Sequence, residues 1–186
     1  MSSIVVDIDV ADFLGQGMEI VGTEESDALM GTNEGELIDG RAGDDDISAL
    51  DGDDFLIGGR GSDTIGGGAG ADTILGGMGN DIIFAFNGDD VVDAGAGNDI
   101  IFGGEGADII FGGEGEDTFI FELEDFADGS VDTVADFELG EDRMMVRGMS
   151  ESDTLTFDLN LSAAFINGEE VVRFEDVDTT EDFEMF

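Results

Sequence analysis

The chain has 186 residues, no cysteine, no histidine, and 48 acidic against 5 basic residues, for a formal net charge of -43. That imbalance excludes nucleic acids and anionic membrane surfaces as partners, since both need positive surface, and it disfavours a compact state unless cations neutralise it. Without cysteine there is no disulfide or thiol chemistry, and without histidine this chain has neither the usual zinc ligand nor the base of a serine triad; no run of residues approaches the roughly 18 apolar positions of a bilayer span.

In chain order, Ile4 to Val10 alternate over Val6, Ile8 and Val10, which predicts a strand with one wet face. Residues 11–21 read as a linker or an irregular cap. Asp7, Asp9 and Asp12 interrupt the apolar stretch and no basic segment precedes it, so no cleaved signal peptide is expected in residues 1–21.

From Gly22 to Ile120 eleven nine-residue units follow one another without insertion or deletion. Their sixth positions are Asp27, Glu36, Asp45, Asp54, Asp63, Asp72, Asp81, Asp90, Asp99, Asp108 and Asp117. Their eighth positions are Leu29, Ile38, Ile47, Leu56, Ile65, Ile74, Ile83, Val92, Ile101, Ile110 and Phe119. Glycine at three turn positions permits positive φ and brings backbone carbonyls close to an ion, and the aspartate supplies the hard anionic oxygen that suits Ca2+. The last three residues of each unit are expected to form a very short strand with its middle side chain inward. One unit cannot bury that side chain alone, so units must stack. The predicted fold is all-β: a parallel β-roll, a right-handed β-helix of nonapeptides with 18 residues per coil, with an N-terminal cap strand and a C-terminal β cap.

Residues eighteen apart then stack, and the acidic positions fall into two ladders. One runs Asp27, Asp45, Asp63, Asp81, Asp99, Asp117; the other runs Glu36, Asp54, Asp72, Asp90, Asp108. An ion between neighbouring rungs would take carboxylate oxygens from both and carbonyls from the turns. The candidate ligand-bearing glycines are Gly43, Gly52, Gly61, Gly70, Gly79, Gly88, Gly97, Gly106 and Gly115 at the fourth position, with Gly59, Gly68, Gly77, Gly95, Gly104 and Gly113 at the second. The candidate metal-binding carboxylates are those from Asp45 to Asp117, and Asp27 and Glu36 are weaker ones, because Glu25 and Glu34 replace glycine in their turns. The ladders leave up to about nine gaps, and about seven once those at Asp27 and Glu36 are set aside, each able to complete the oxygen shell Ca2+ takes. Units four and eight open with Ala49-Leu50 and Ala85-Phe86 in place of Gly-Gly, so stiffer turns and poorer ion sites are expected there.

Positions seven and nine should point outward, yet on one face they stack Ile82, Ile100, Thr118 beside Phe84, Phe102, Ile120. The apolar stripe of Ile82, Phe84, Ile100, Phe102 and Ile120 is a candidate interaction surface, either covered by another segment of the chain or used for self-association or a protein partner. After Ile120 the period is lost. Thr133 to Phe137, Arg143 to Val146, Thr154 to Leu159 and Val171 to Phe174 are predicted strands, and Asn167-Gly168 predicts a hairpin, with a bulge near Glu169-Glu170. The region is expected to cap the last coil, whose edge would otherwise template aggregation. Asp132, Asp136, Glu138 and Asp142 read as a further cation site or solvated turns rather than as paired catalytic carboxylates.

The units Gly58-Gly59-Arg60-Gly61-Ser62-Asp63-Thr64-Ile65 and Gly103-Gly104-Glu105-Gly106-Ala107-Asp108-Ile109-Ile110 resemble the RTX (repeats-in-toxin) family of haemolysin-type calcium-binding proteins. The stretches Gly115 to Phe121 and Asp132 to Asp142 look like the region after the roll in serralysin-type exoproteins, and the acidic, apolar end from Asp178 to Phe186 is similar to the termini of exported substrates. The resemblance implies a 22–120 calcium-binding roll between residues 1–21, a strand and cap, and residues 121–186, a β cap with a type I secretion signal. It also implies export by a type I system of a Gram-negative bacterium and folding in extracellular calcium. The expected function is a secreted calcium-binding protein or module that folds on binding several Ca2+ and serves a structural or interaction role. Two alternatives stand beside it: the export and folding module of a type I secreted enzyme such as a protease or lipase, and an adhesin or surface-layer component. No catalytic residue is assigned, and no enzyme activity is expected.

Overall fold

The computed structural model describes residues 18–158 and 162–175. It contains β1 (Met18–Val21), β2 (Ala28–Met30), β3 (Glu36–Asp39), β4 (Asp46–Asp51), β5 (Phe55–Arg60), β6 (Thr64–Ala69), β7 (Thr73–Met78), β8 (Ile82–Asn87) and β9 (Val91–Ala96). There follow β10 (Ile100–Glu105), β11 (Ile109–Phe111), β12 (Thr118–Glu122), a 3-10 helix (Asp125–Asp128), β13 (Asp132–Val134), β14 (Arg143–Arg147), β15 (Leu155–Asp158), β16 (Ala163–Ile166) and β17 (Glu169–Phe174). The predicted strand at residues 4–10 and the tail from Asp178 lie outside the described residues.

Successive strands alternate between two sheets. Odd-numbered strands from β1 to β13 form one, extended by β17, β16 and β15; even-numbered strands from β2 to β14 form the other. Pairing within the roll is parallel, with Ile47 beside Ile65 and Ile65 beside Ile83. Each coil therefore takes 18 residues, and the fold is a parallel β-roll of about six turns. The eighth residues form its spine: Ile38, Ile47, Leu56, Ile65, Ile74, Ile83, Val92, Ile101, Ile110 and Phe119 are all 0–1% exposed.

Three expectations need correction. The inner strands are six residues long, not three, because the turn glycines keep the parallel pairing: Gly59 still faces Gly77, and Arg60 faces Met78. The period-two alternation therefore continues, and position one points inward, where Ala49, Ala85 and Ala94 are fully buried. Residues 18–21 are not an irregular linker. Ile20 pairs with Ile38, so β1 is a rung of the roll ahead of the first recognisable unit. Finally, the coil does not stop at Ile120. Thr133 stacks on Ile109 and Arg143 on Thr118, so β13 and β14 build one more coil with registers of 24 and 25 residues, the extra residues including the 3-10 helix. Beyond it β15, β16 and β17 form an antiparallel meander whose last strand pairs parallel to β13. Asn167 and Gly168 make its turn at φ 54 and 89, the positive pair a tight hairpin demands. Ala164 faces Val172 while Phe165 faces Glu170, so Val171 is the bulged residue and Glu169-Glu170 are regularly paired.

Candidate metal centre

Position six is the last residue of each turn, and the alternation that sends position eight inward sends it inward too. Asp45, Asp54, Asp63, Asp72, Asp81, Asp90, Asp99, Asp108 and Asp117 are 0–3% exposed. One oxygen of each is committed. The backbone N–H of Asp45 donates to Oδ1 of Asp63 at 2.8 Å, that of Asp63 to Asp81 at 2.8 Å, and that of Asp81 to Asp99 at 2.7 Å. The other ladder repeats this from Asp54 to Asp72 at 2.8 Å and from Asp72 to Asp90 at 2.7 Å. Every carboxylate thus reaches one coil back and caps the amide of its predecessor.

The second oxygen is different. Oδ2 of all nine aspartates is buried and meets no hydrogen-bond donor. An ionised oxygen left so costs about 1–3 kcal/mol or more, and nine of them together match or exceed the net stability of about 5–15 kcal/mol of an ordinary domain. Burial accordingly drives these groups toward the neutral form. Loss of water, with Asp108, Asp72 and Asp89 adding negative charge, pushes Asp90 up to about 8 against an ordinary 3.8. Burial, helped by Asp132, does the same to Asp108. Asp54, Asp72, Asp81 and Asp117 are pushed up to about 6, burial again being the largest cause. Asp45, Asp63 and Asp99 move in the same direction. Only a cation, or a proton, relieves this arrangement.

The turns supply the remaining oxygens. Gly59 at position two and Gly61 at position four have φ 110 and 132, and a Cβ on them would lie 2.2 Å from the Arg41 carbonyl and 1.8 Å from the Gly43 carbonyl of the neighbouring coil. Nothing but glycine allows the carbonyls of one turn to be aimed so closely at the next. Positive φ recurs at all the second- and fourth-position glycines named above. Position one is glycine for another reason than φ: a Cβ on Gly58 would stand 2.6 Å from Asp63 Oδ2 and 2.6 Å from the Gly76 carbonyl. So glycine serves conformation at two positions and space at the third. Arg41, Leu50 and Phe86 hold the position-two conformation at φ 75, 85 and 78, so units three, four and eight carry backbone strain there. No three carboxylates converge on one metal-sized point among the described residues, so an ion here must be completed by these carbonyls. Carboxylate, carbonyl and a dry cradle are the oxygen donors calcium takes, and the residues fit it.

The ends of the ladders are built otherwise. Thr23 donates through N–H and hydroxyl to Asp27 Oδ2 at 2.6 and 2.8 Å. Thr32 does the same for Glu36, its N–H at 2.9 Å from Oε2 and its hydroxyl to Oε1. At the other end Asp132 and Asp142 take over the sixth-position role: Asp108 N–H donates to Asp132 Oδ1 and Asp117 N–H to Asp142 Oδ1, both at 3.0 Å. Asp142 Oδ2 is satisfied by the Glu138 N–H at 2.8 Å, and Asp136 receives the N–H groups of Gly112 and Gly113. Sequence reasoning left these acids as turn residues or a separate cation site. The pairings of Thr133 with Ile109 and of Arg143 with Thr118 reveal that two of them, Asp132 and Asp142, are rungs.

Position five was also missed. On one edge Ser26, Asp44, Ser62, Asn80 and Asn98 each accept the N–H of the fifth residue one coil on, ending at Glu116. The other edge has only Asp53 to Ala71 and Asp89 to Ala107. Short polar residues recurring every eighteen positions were the available signal.

A parallel roll lined by buried, half-satisfied aspartates and glycine-cradled carbonyls defines a calcium-binding class of repeat domain. The chain carries RTX repeats: residues 30–65, 57–85 and 84–119 match the RTX calcium-binding nonapeptide repeat. No curated protein sequence matches. Among solved structures it is similar to the extracellular lipase LipA from Serratia marcescens, at 15% identity and a TM-score of 0.37, over 90% of this chain and 39% of the lipase. It is similar also to the AlgE6R3 subunit of the Azotobacter vinelandii mannuronan C5-epimerase, at 21% identity and a TM-score of 0.30, over 92% of this chain and 90% of that one. The chain thus spans about two fifths of the lipase.

Proposed function

We propose that this RTX domain takes up Ca2+ between successive coils, and that ion binding is what makes it fold. The unpartnered Oδ2 of Asp45 through Asp117 carries the reading. Each ion would be held by carboxylate oxygen of neighbouring rungs, with carbonyls of positions two and four, and would supply the positive charge that the buried aspartates lack. The inner rungs leave about seven gaps between them, so about seven ions are expected. Because every site draws on two coils, none exists in the unfolded chain, and binding free energy becomes folding free energy. Magnesium should substitute poorly, since it keeps its waters and a smaller octahedral shell.

Such a chain is suited to staying unfolded where calcium is scarce and folding where it is plentiful. We read it as a secreted module, exported by a type I route as RTX-repeat proteins typically are, with a structural or interaction role rather than catalysis. A calcium titration followed by far-ultraviolet circular dichroism tests this. The expected result is a cooperative coil-to-strand transition; a chain with full strand content in chelator at neutral pH would overturn it.

A further inference from the structure

The outward face of the even-numbered sheet is out of character with the rest of the molecule. Across β4, β6, β8, β10, β12 and β14, the outward positions seven, nine and two carry two acids, Asp46 and Glu122, and two bases, Arg143 and Arg147. They cancel. In a chain of net charge -43 with five basic residues in all, this is a neutral surface, with further acids such as Asp51 and Glu105 only at the strand ends.

Its centre is apolar. Phe84 stacks on Phe102 with ring centroids 4.6 Å apart, and Phe86 on Phe84 at 5.7 Å. Phe86 also lies across Gly66, whose Cβ would meet its ring at 3.3 Å, so the strained residue of unit eight fills a gap in the stripe. Ile82 and Ile100 remain 37% exposed and Phe86 49% exposed. Ile120 does not share in this: it is 5% exposed, and the stripe expected from sequence ends one coil earlier. The Arg147 guanidinium lies over the Phe102 ring, 5.3 Å from its centroid.

We infer that this face is a dimerisation surface, and that its occupant is a second copy of the chain, related by a two-fold axis parallel to the strands between β8 and β10. The charges dictate that arrangement. The basic edge of the face is β14, and its acid Asp46 lies on β4, five strands away, with the uncharged β2 beyond it. A two-fold there reverses the strand order, laying β14 of one copy over β4 of the other and setting Arg143 against Asp46 of the second copy, both at position seven. The same operation lays β10 over β8, Ile100 and Phe102 against Ile82 and Phe84. Arg143 is 67% exposed and holds only Glu116, at 3.4 Å, which leaves it donors to spare. Six strands at about 4.8 Å spacing and five residues of width give roughly 500 Å² per copy. That is about 1,000 Å² in total, the low end of specific interfaces, so a weak, concentration-dependent dimer is expected. It needs the roll to be formed, and hence calcium.

Sedimentation equilibrium of the full chain in millimolar calcium, with circular dichroism on the same samples, tests this. Wild-type protein should show monomer and dimer in exchange, and Ile100→Asp should raise the dissociation constant at least tenfold while keeping the calcium-induced transition. Arg143→Asp and Asp46→Arg should each weaken the dimer, and the double exchange should restore it. A folded wild-type monomer at all concentrations would overturn the dimer. A folded double variant weaker than either single variant would overturn the two-fold arrangement. Failure to fold in calcium would instead strike the calcium reading and is visible separately in the dichroism.

Discussion

The inner coils and the closing coils use the same backbone device and differ in what completes it. Between Asp45 and Asp117 each carboxylate caps an amide with Oδ1 and leaves Oδ2 buried and unmatched. At the ends the second oxygens of Asp27, Glu36 and Asp142 are matched by the protein itself, by Thr23 and Thr32 before the ladders and by the Glu138 amide behind them. The contrast teaches that charge burial is not a cost spread evenly over an acidic chain. It is greatest along the inner rungs, and at Asp27, Glu36 and Asp142 the chain supplies its own hydrogen-bond donors.

Removing calcium should separate the two regions most widely. In chelator at pH 7, hydrogen exchange should show β4 to β11 unprotected, and added calcium should slow exchange there by several orders of magnitude. Equal protection with and without calcium would break the comparison. Next in size are the glycines. Gly79→Val places a Cβ 1.8 Å from the Gly61 carbonyl at φ 132 and should shift the calcium midpoint strongly or abolish the transition. Gly168→Ala, with nothing within 4 Å, should cost only about 1 kcal/mol for its positive φ.

Rung substitutions sharpen the distinction further. Asp81→Ala removes a ligand and strands the Asp63 amide, so it should lower the number of bound ions and cost about 2–4 kcal/mol. Asp142→Ala strands the amides of Asp117 and Glu138 and should cost about 1–3 kcal/mol with the inner ions retained. Calorimetry of both variants distinguishes a ligand from a cap.

The upward shifts run from the inner aspartates into the closing coil, where burial pushes Asp142 up to about 6 and Asp136 in the same direction, and the opposite sign belongs to the exposed meander beyond it. The inner aspartates have folded-state values raised above their unfolded ones, so their contribution to the metal-free roll is fully present below about 4 and is lost as pH rises through about 6 to 8. Metal-free protein should therefore gain strand structure on acidification, while calcium binding weakens as protons compete over that range. Asp153 in the closing meander is lowered, chiefly by the Asn167 side chain; its small contribution is present at neutral pH and lost in acid. A metal-free chain whose circular dichroism is unchanged from pH 8 to 4 would contradict the first sign.

The coil length, the inward spine and the two ladders were legible because a nine-residue register repeats them eleven times, and repetition is what periodicity detects. What it could not show was direction. Nothing in Asp63 itself says that Oδ1 serves Asp45 while Oδ2 stays bare; that follows from the inward turn of position six, which the six-residue strands create. The closing coil was hidden because 24- and 25-residue registers interrupt the period, although Asp132 before Thr133-Val134 and Asp142 before Arg143-Met144 repeat the acid-before-strand pattern. Met18 to Val21 was missed because Met18 stands where an acid would have marked the rung.

Counting bound calcium by calorimetry on chelator-stripped protein is the sharpest test of calcium-driven folding, because the number of ions follows from the number of gaps between inner rungs. About seven ions are expected, taken up together with folding. Fewer than about four, or a roll already formed before the first ion is added at neutral pH, would contradict calcium-driven folding.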